Sequence, residues 1–267
     1  MQMPPEAEFK SKFGAGCGPT NPALSRVALA GFGCKDVEMS ALPPPPARIR
    51  VWDLPTRLFH WLLAAAVVGA VMTAKIGGAA MTWHFRFGLL VMGLLLFRIV
   101  WGLIGGHWSR FGSFLHAPSA VLRYLRGQTR PDEHVDVGHS PLGALSVFGL
   151  LGVLAVQVGT GLVADDEIAN VGPLNRFVSS ATGLEATGWH KEFGQWLVIG
   201  LVLLHVAAIV YYAAVRKKNL VRPMLTGDKS LPLSTPASED GLGTRLLALA
   251  VSGARASVVV WVSRLSQ

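Results

Sequence analysis

Four long apolar stretches decide what this sequence can become. They run from about Leu58 to Ile76, Trp83 to Ile104, Leu142 to Val163 and His190 to Val215. At ~1.5 Å of rise per residue, each is long enough to cross a hydrocarbon core of ~30 Å. Lipid offers no partner to a backbone amide or carbonyl, so such stretches must satisfy their hydrogen bonds internally, as helices. The predicted fold class is therefore all-α, an integral membrane bundle of four transmembrane helices. Composition agrees. Of 267 residues, 51% are hydrophobic and 15% are charged, where a soluble domain carries ~25% charged residues. A water-soluble enzyme and a disordered chain are both excluded on that balance.

The formal net charge is +8. In a soluble protein this would raise nucleic acid as a partner, but here membrane topology accounts for it and no nucleic acid is expected. Seven Lys/Arg lie in the stretch through Arg57, five between Arg98 and Pro141, and five from Arg216 to Lys229. The other two connections hold only Lys75, Arg176 and Lys191. Seventeen against three is a strong positive-inside signal. It predicts a multi-pass protein of the bacterial inner membrane, surrounded by lipid, with N- and C-termini cytoplasmic. The short Ala74–Thr82 loop and the longer acidic loop with Asp165, Asp166, Glu167 and Glu185 then face outward.

The flanks read differently from the body. Residues 1–47 form a Pro/Gly/Ala-rich extension, expected to be disordered, ending in Pro43–Pro46. It holds both cysteines, Cys17 and Cys34, and its best apolar run, Val27 to Gly33, is too short for a signal peptide. No Cys-x-x-Cys-His occurs, which excludes covalent c-type haem attachment. Residues 48–230 form the membrane domain, and residues 231–267 a linker and an amphipathic segment. Thr244–Leu265 is apolar but interrupted by Arg245, Arg255 and Arg264. Arginine is costly at mid-bilayer, so an interfacial helix is expected there rather than a fifth span.

The histidines carry the chemistry. His60 opens the first span, His84 the second and His190 the fourth, while His205 lies deep within the fourth. Neutral imidazole presents a nitrogen lone pair, so two histidines on facing helices can clamp an iron from both sides. The first span runs outward, the second and fourth inward. His60 then matches His205 in depth near the cytoplasmic side, and His84 matches His190 near the outer side. His190 and His205 are fifteen positions apart, which spans ~22 Å and leaves the two side chains ~60° apart, on roughly one face. Four histidines at two matched depths predict two haem sites, one per leaflet. His107, His116 and His134 fall in the Arg-rich loop and read as solvated. His139, before the third span, reads as a cap or as the lining of an inner pocket.

The same residues resemble a known family, the bacterial cytochrome b561 group, which includes b-type subunits of nickel–iron hydrogenases. The matching pieces are Val51-Trp52-Asp53-Leu54-Pro55-Thr56-Arg57-Leu58-Phe59-His60-Trp61, His84-Phe85-Arg86-Phe87-Gly88, Phe97-Arg98-Ile99-Val100-Trp101-Gly102 and Gly138-His139-Ser140-Pro141-Leu142-Gly143. They continue with Gln157-Val158-Gly159-Thr160-Gly161-Leu162, with Trp189-His190 through His205, and with the tail Asn219–Gly227. The resemblance implies a four-helix cytochrome with two b-type haems held by His60, His84, His190 and His205. It implies electron transfer between the quinone pool and a periplasmic partner. It also implies that the two histidines of the last span are fourteen positions apart. Here they are fifteen apart, which turns one ligand by ~100° unless the helix contains a π-bulge or a bend.

Haem propionates need cationic partners near an interface. Arg57 and Arg98 suit the inner haem, and Arg86 or Lys75 the outer one, although the same side chains can simply reach lipid phosphate. The expected function is that of a membrane dihaem b-type cytochrome, an electron-transfer protein or quinone-linked oxidoreductase. Quinone and a periplasmic c-type cytochrome or redox subunit are the expected partners, with a candidate quinone site near His139, Arg57 and Trp61 at the inner face. The alternatives are the b-type cytochrome subunit of a hydrogenase or dehydrogenase complex, and a four-helix membrane anchor without haem.

Overall fold

The computed structural model describes residues 47–128 and 137–265. The expectations for residues 1–46, both cysteines among them, and for His134 lie outside the described residues. Helix α1 (Leu54–Ile76) starts where Asp53 caps it, accepting from Thr56 N at 2.7 Å, with Pro55 in the first turn. It stops at Gly77, whose φ of 69° suits a residue without a Cβ. Helix α2 (Met81–Ile104) returns and ends at Gly105. The short amphipathic α3 (Pro118–Leu125) follows, and then α4 (Pro141–Val163), capped by Ser140. The fourth long helix is composite. It joins α5 (Ser180–Gly188), a π-helical turn (Trp189–Gly194) and α6 (Gln195–Ala214) into one continuous stretch of 35 residues. The described chain ends with α7 (Val221–Thr226) and α8 (Leu242–Arg264).

Helix α2 is the centre of the bundle. Half of its most apolar stretch is buried inside the protein (50%), against 6–11% in the other long helices, whose remaining apolar surface is available to lipid. Phe59 and Val67 of α1, Leu94, Phe97 and Trp101 of α2, Leu154 of α4, Val198 of α6 and Ala248 of α8 form one core. Phe97 stacks on Trp101 with ring centroids 5.4 Å apart.

Among the described residues five helices are long and apolar enough to cross a membrane, one more than the four expected. The fifth is α8. It begins beside Asp240 at the His60 end of the bundle, which the charge bias makes the inner end. It finishes at the outer end, where Ser263 joins the lining of the cavity around His84 and Arg176 donates to Leu265 O at 3.4 Å. The described chain thus starts and finishes at opposite ends of the bundle. The arginines of α8 sit in different surroundings. Arg245 pairs with Asp240 at 3.3 Å, and Arg264 lies in the last turn. Arg255 lies over Phe97 and against Gly93, where a Cβ would come within 3.2 Å of its Nη1.

Residues 228–240, which take in the start of the expected linker, close the inner end. Strand β1 (Ala47–Arg50) pairs antiparallel with β2 (Asp228–Leu231). Ser238 donates to Val51 O at 2.7 Å, and Trp108 Nε1 donates to Pro236 O at 2.7 Å. Beneath them Asp53 is fully buried and gathers four donors: Thr56 N, Trp101 Nε1, Gly106 N and Ser109 Oγ, at 2.6–3.2 Å. A buried carboxylate holds its place only with such partners.

Candidate functional site

The helices bring the four histidines together in the two couples that depth alone predicts. His60 of α1 faces His205 of α6 with ring centroids 6.4 Å apart and planes inclined by 51°. His84 of α2 faces His190 of the π-turn at 5.9 Å and 85°. Among the described residues no cluster of three or more His, Cys, Asp or Glu gathers for a metal ion. These are pairs, as axial ligation requires, and not a tetrahedral cage.

The outer pair borders a cavity of about 720 Å³, lined among others by Ala70, His84, Gly88, Gln157, Gly161 and His190. Both rings hang from backbone carbonyls, His84 Nδ1 on Ala70 O and His190 Nδ1 on Gln157 O, each at 2.9 Å. A carbonyl can only accept, so each Nδ1 carries the proton and each Nε2 keeps its lone pair free. Space here is made by missing side chains. A Cβ on Gly161 would come within 2.8 Å of the His190 ring, and Gly88 faces open space.

The inner pair is held differently. His60 Nδ1 is buried with no partner among the described residues. His139 is no helix cap, because Ser140 performs that role for α4. Its ring is buried between Trp52 and Phe114, with centroids at 4.8 Å and 4.4 Å. Burial, reinforced by Arg98, Lys229, His60 and His116, pushes it down to about 3, so it is neutral at any physiological pH.

The cationic side chains fare unevenly. Arg98, expected at the inner propionates, is buried, donates to Ser109 O at 2.9 Å and lies over the Phe111 ring at 4.5 Å. The polar knot around Asp53 and Ser109 takes up its charge. Arg57 donates to Leu225 O at 2.5 Å and lies 4.0 Å from Asp240, while its Nε is buried without a partner. Trp61 donates to Met224 O at 3.3 Å. Arg86 covers the Trp83 ring and is not part of the outer cavity lining, whereas Lys75 is, with Nζ on Gln195 Oε1 at 2.7 Å. Of the loop histidines expected to be solvated, His107 contacts Arg110, but His116 is partly buried with Nε2 on His139 O at 3.2 Å.

Sequence reasoning passed over three residues that build these sites. Asp53 was legible as a cap before Leu-Pro-Thr, but not as the hub of the inner end. Asp240 meets Arg50, Arg57 and Arg245, contacts that are distant in sequence or sit in what reads as a linker. Gln157, a carboxamide in mid-span, was the clearest available signal, since polar groups inside spans are costly and usually serve a purpose.

Comparison with known proteins agrees with the fold and the paired histidines on one class, the membrane-embedded b-type cytochromes. The sequence profile described as prokaryotic cytochrome b561 matches residues 51–227, and the chain belongs to that family. Curated relatives include the probable Ni/Fe-hydrogenase B-type cytochrome subunit of Bradyrhizobium diazoefficiens, 22% identical over 212 residues, covering 68% of this chain and 85% of the relative. The probable Ni/Fe-hydrogenase 1 B-type cytochrome subunit of Escherichia coli K12 is 25% identical over 214 residues, covering 67% and 90%. The corresponding subunit of Azotobacter vinelandii is 26% identical over 217 residues, covering 67% and 87%. No solved structure matches the chain at a significant level. The protein is thus a multi-pass, electron-transporting b-type cytochrome of the bacterial inner membrane, which sets the haem-free anchor aside.

Proposed function

We propose that this protein is a dihaem cytochrome that passes electrons between the quinone pool and a redox partner at the outer face of the membrane. His60 and His205 would hold the inner haem, and His84 and His190 the outer one. The observation that carries the reading is the spacing within each couple. Two metal–nitrogen bonds of ~2 Å, plus the radii of two imidazole rings, separate opposed ring centroids by ~6 Å. The two couples stand at 6.4 Å and 5.9 Å. The cavity beside the outer couple, with its glycine walls, supports a flat macrocycle there.

When bound, haem iron supplies a one-electron couple. The chain's own residues do the rest. The histidines fix two levels ~22 Å apart along the last long helix, and the core around Phe97 and Leu154 excludes water between them. Ala70 O and Gln157 O fix the tautomer of the outer ligands. Lys75, at the cavity wall, is a cation within the lining that could serve an outer propionate. Arg57, whose buried Nε has no partner, has a donor to spare at the inner end.

Among outer-face partners, a hydrogenase redox subunit is favoured over a c-type cytochrome, because the curated relatives reported above carry hydrogenase-subunit names. The acidic loop after α4 leaves docking of a basic protein as the second reading. A pyridine haemochrome assay with protein quantitation tests the core of the proposal. It should return two b-type haems per chain. A colourless preparation would end it.

A further inference from the structure

We propose that Gln157, which ligates nothing, is the positioning residue of the outer site: it locks the π-turn of the last long helix and thereby sets the rotation of the His190 ring. The proposal rests on His190 being an axial ligand, as argued above.

Gln157 grips one residue twice. Its backbone carbonyl accepts from His190 Nδ1 at 2.9 Å, and its side-chain Nε2 donates to His190 O at 3.0 Å. Ring and backbone of the histidine are thus fixed by backbone and side chain of a single partner on α4. Thr160 Oγ1 stands 3.4 Å from the same Nδ1 as a more distant contact. The carboxamide contact goes with the π-turn. A regular helix spends each carbonyl on its own ladder, whereas a π-turn carries one extra residue and breaks the regular pairing. His190 O lies inside the π-turn, Trp189–Gly194, and accepts from Gln157.

The surroundings are cut to fit. A Cβ on Gly194 would collide with Gln157 Oε1 and come within 3.1 Å of Trp189 Nε1. A Cβ on Gly161, one turn beyond Gln157 on α4, would collide with the His190 ring. Gln157 Oε1 is itself buried without a partner among the described residues. The chain therefore accepts the cost of an unsatisfied acceptor inside the membrane in order to keep the amide donor on the other side of the group.

The test uses the full chain, purified with its haems, and two variants. Gln157→Met keeps length and removes the donor. Gly194→Ala leaves Gln157 in place and pushes its carboxamide aside. Low-spin electron paramagnetic resonance of the oxidised protein reads the mutual orientation of axial rings, and a potentiometric titration reads each haem separately. Both variants should keep two haems, move one of the two low-spin signals and shift one of the two midpoints, leaving the other as in the wild type. Two wild-type signals and midpoints in Gly194→Ala would overturn the proposal, as would equal displacement of both haems, which marks a general structural role. Gly194→Ala decides the matter if Gln157→Met does not fold. His190→Ala separates this inference from the reading it rests on. If that variant keeps both haems, the ligand assignment fails, whatever Gln157 does.

Discussion

At the inner end of the bundle, four donors converge on one buried carboxylate, and a β-ribbon with the segment after it closes over the top. At the outer end the helices part around a cavity of about 720 Å³, and two histidine rings hang into the gap from backbone carbonyls. The inner couple has no such suspension at His60, whose Nδ1 is unpartnered among the described residues. The difference separates two tasks that a small membrane protein must share among a few helices. One end stores the long-range contacts that hold the helices in register. The other keeps space open and controls ring orientation through the backbone.

That division can be broken in several ways. The largest effect is expected from Asp53→Ala, which strands buried donors at the junction of α1, α2 and the loop after it. Each orphaned donor costs ~1–3 kcal/mol and the lost cap ~1 kcal/mol. Thermal denaturation in detergent should show a loss of several degrees or failure to accumulate, with Asp53→Asn intermediate. A wild-type melting curve for Asp53→Ala would deny the inner end its structural role.

A topology reporter addresses the helix that ties the two ends together. Alkaline phosphatase fused after Gln267 should be active outside the cytoplasm, and green fluorescent protein at the same place should be dark. The reverse pattern would return α8 to the cytoplasmic surface.

A smaller and local change is expected at the outer cavity. Gly161→Ala places a methyl group against the His190 ring, whereas Gly159→Ala meets nothing within 4 Å. Only the first should alter the outer haem spectrum, and neither the inner one. Identical spectra for both variants would show that the glycine wall is not shaped to its ring.

The smallest effect concerns the outer loop. Asp166 accepts from the Asn170 side chain and from the amides of residues 168–170, which holds its carboxyl well below the usual range. A depressed folded value means that the contribution to stability is present above the unfolded carboxyl value and is lost as pH falls below it. Proteolytic nicking of the loop should rise on acidification, and Asp166→Asn should flatten that dependence. The same pH profile in the variant would assign the effect elsewhere.

What could be read from the sequence follows from the range of the forces involved. Hydropathy and helical periodicity are local, and they sufficed to pair His60 with His205 and His84 with His190. The fifteen-residue spacing even pointed to the π-turn at Trp189–Gly194. The arginines of the fifth helix can only be weighed one by one in the sequence, where nothing local reveals that Gly93 of α2 makes room for Arg255. The inner closure was illegible for the same reason. Ser238 and Val51 are 187 residues apart, and Trp108 meets Pro236 across 128. The place of Arg98 in its motif is visible in the sequence, while its acceptor, the Ser109 carbonyl, is a feature of the fold alone.

The most direct measurement is the haem content of single histidine variants beside the wild type, one from each couple. With two b-type haems in the parent, His60→Ala and His84→Ala should each retain one, with different residual midpoints, because each removes one level and spares the other. Two haems in either variant, or the same residual midpoint in both, would contradict the assignment of one haem to each histidine couple.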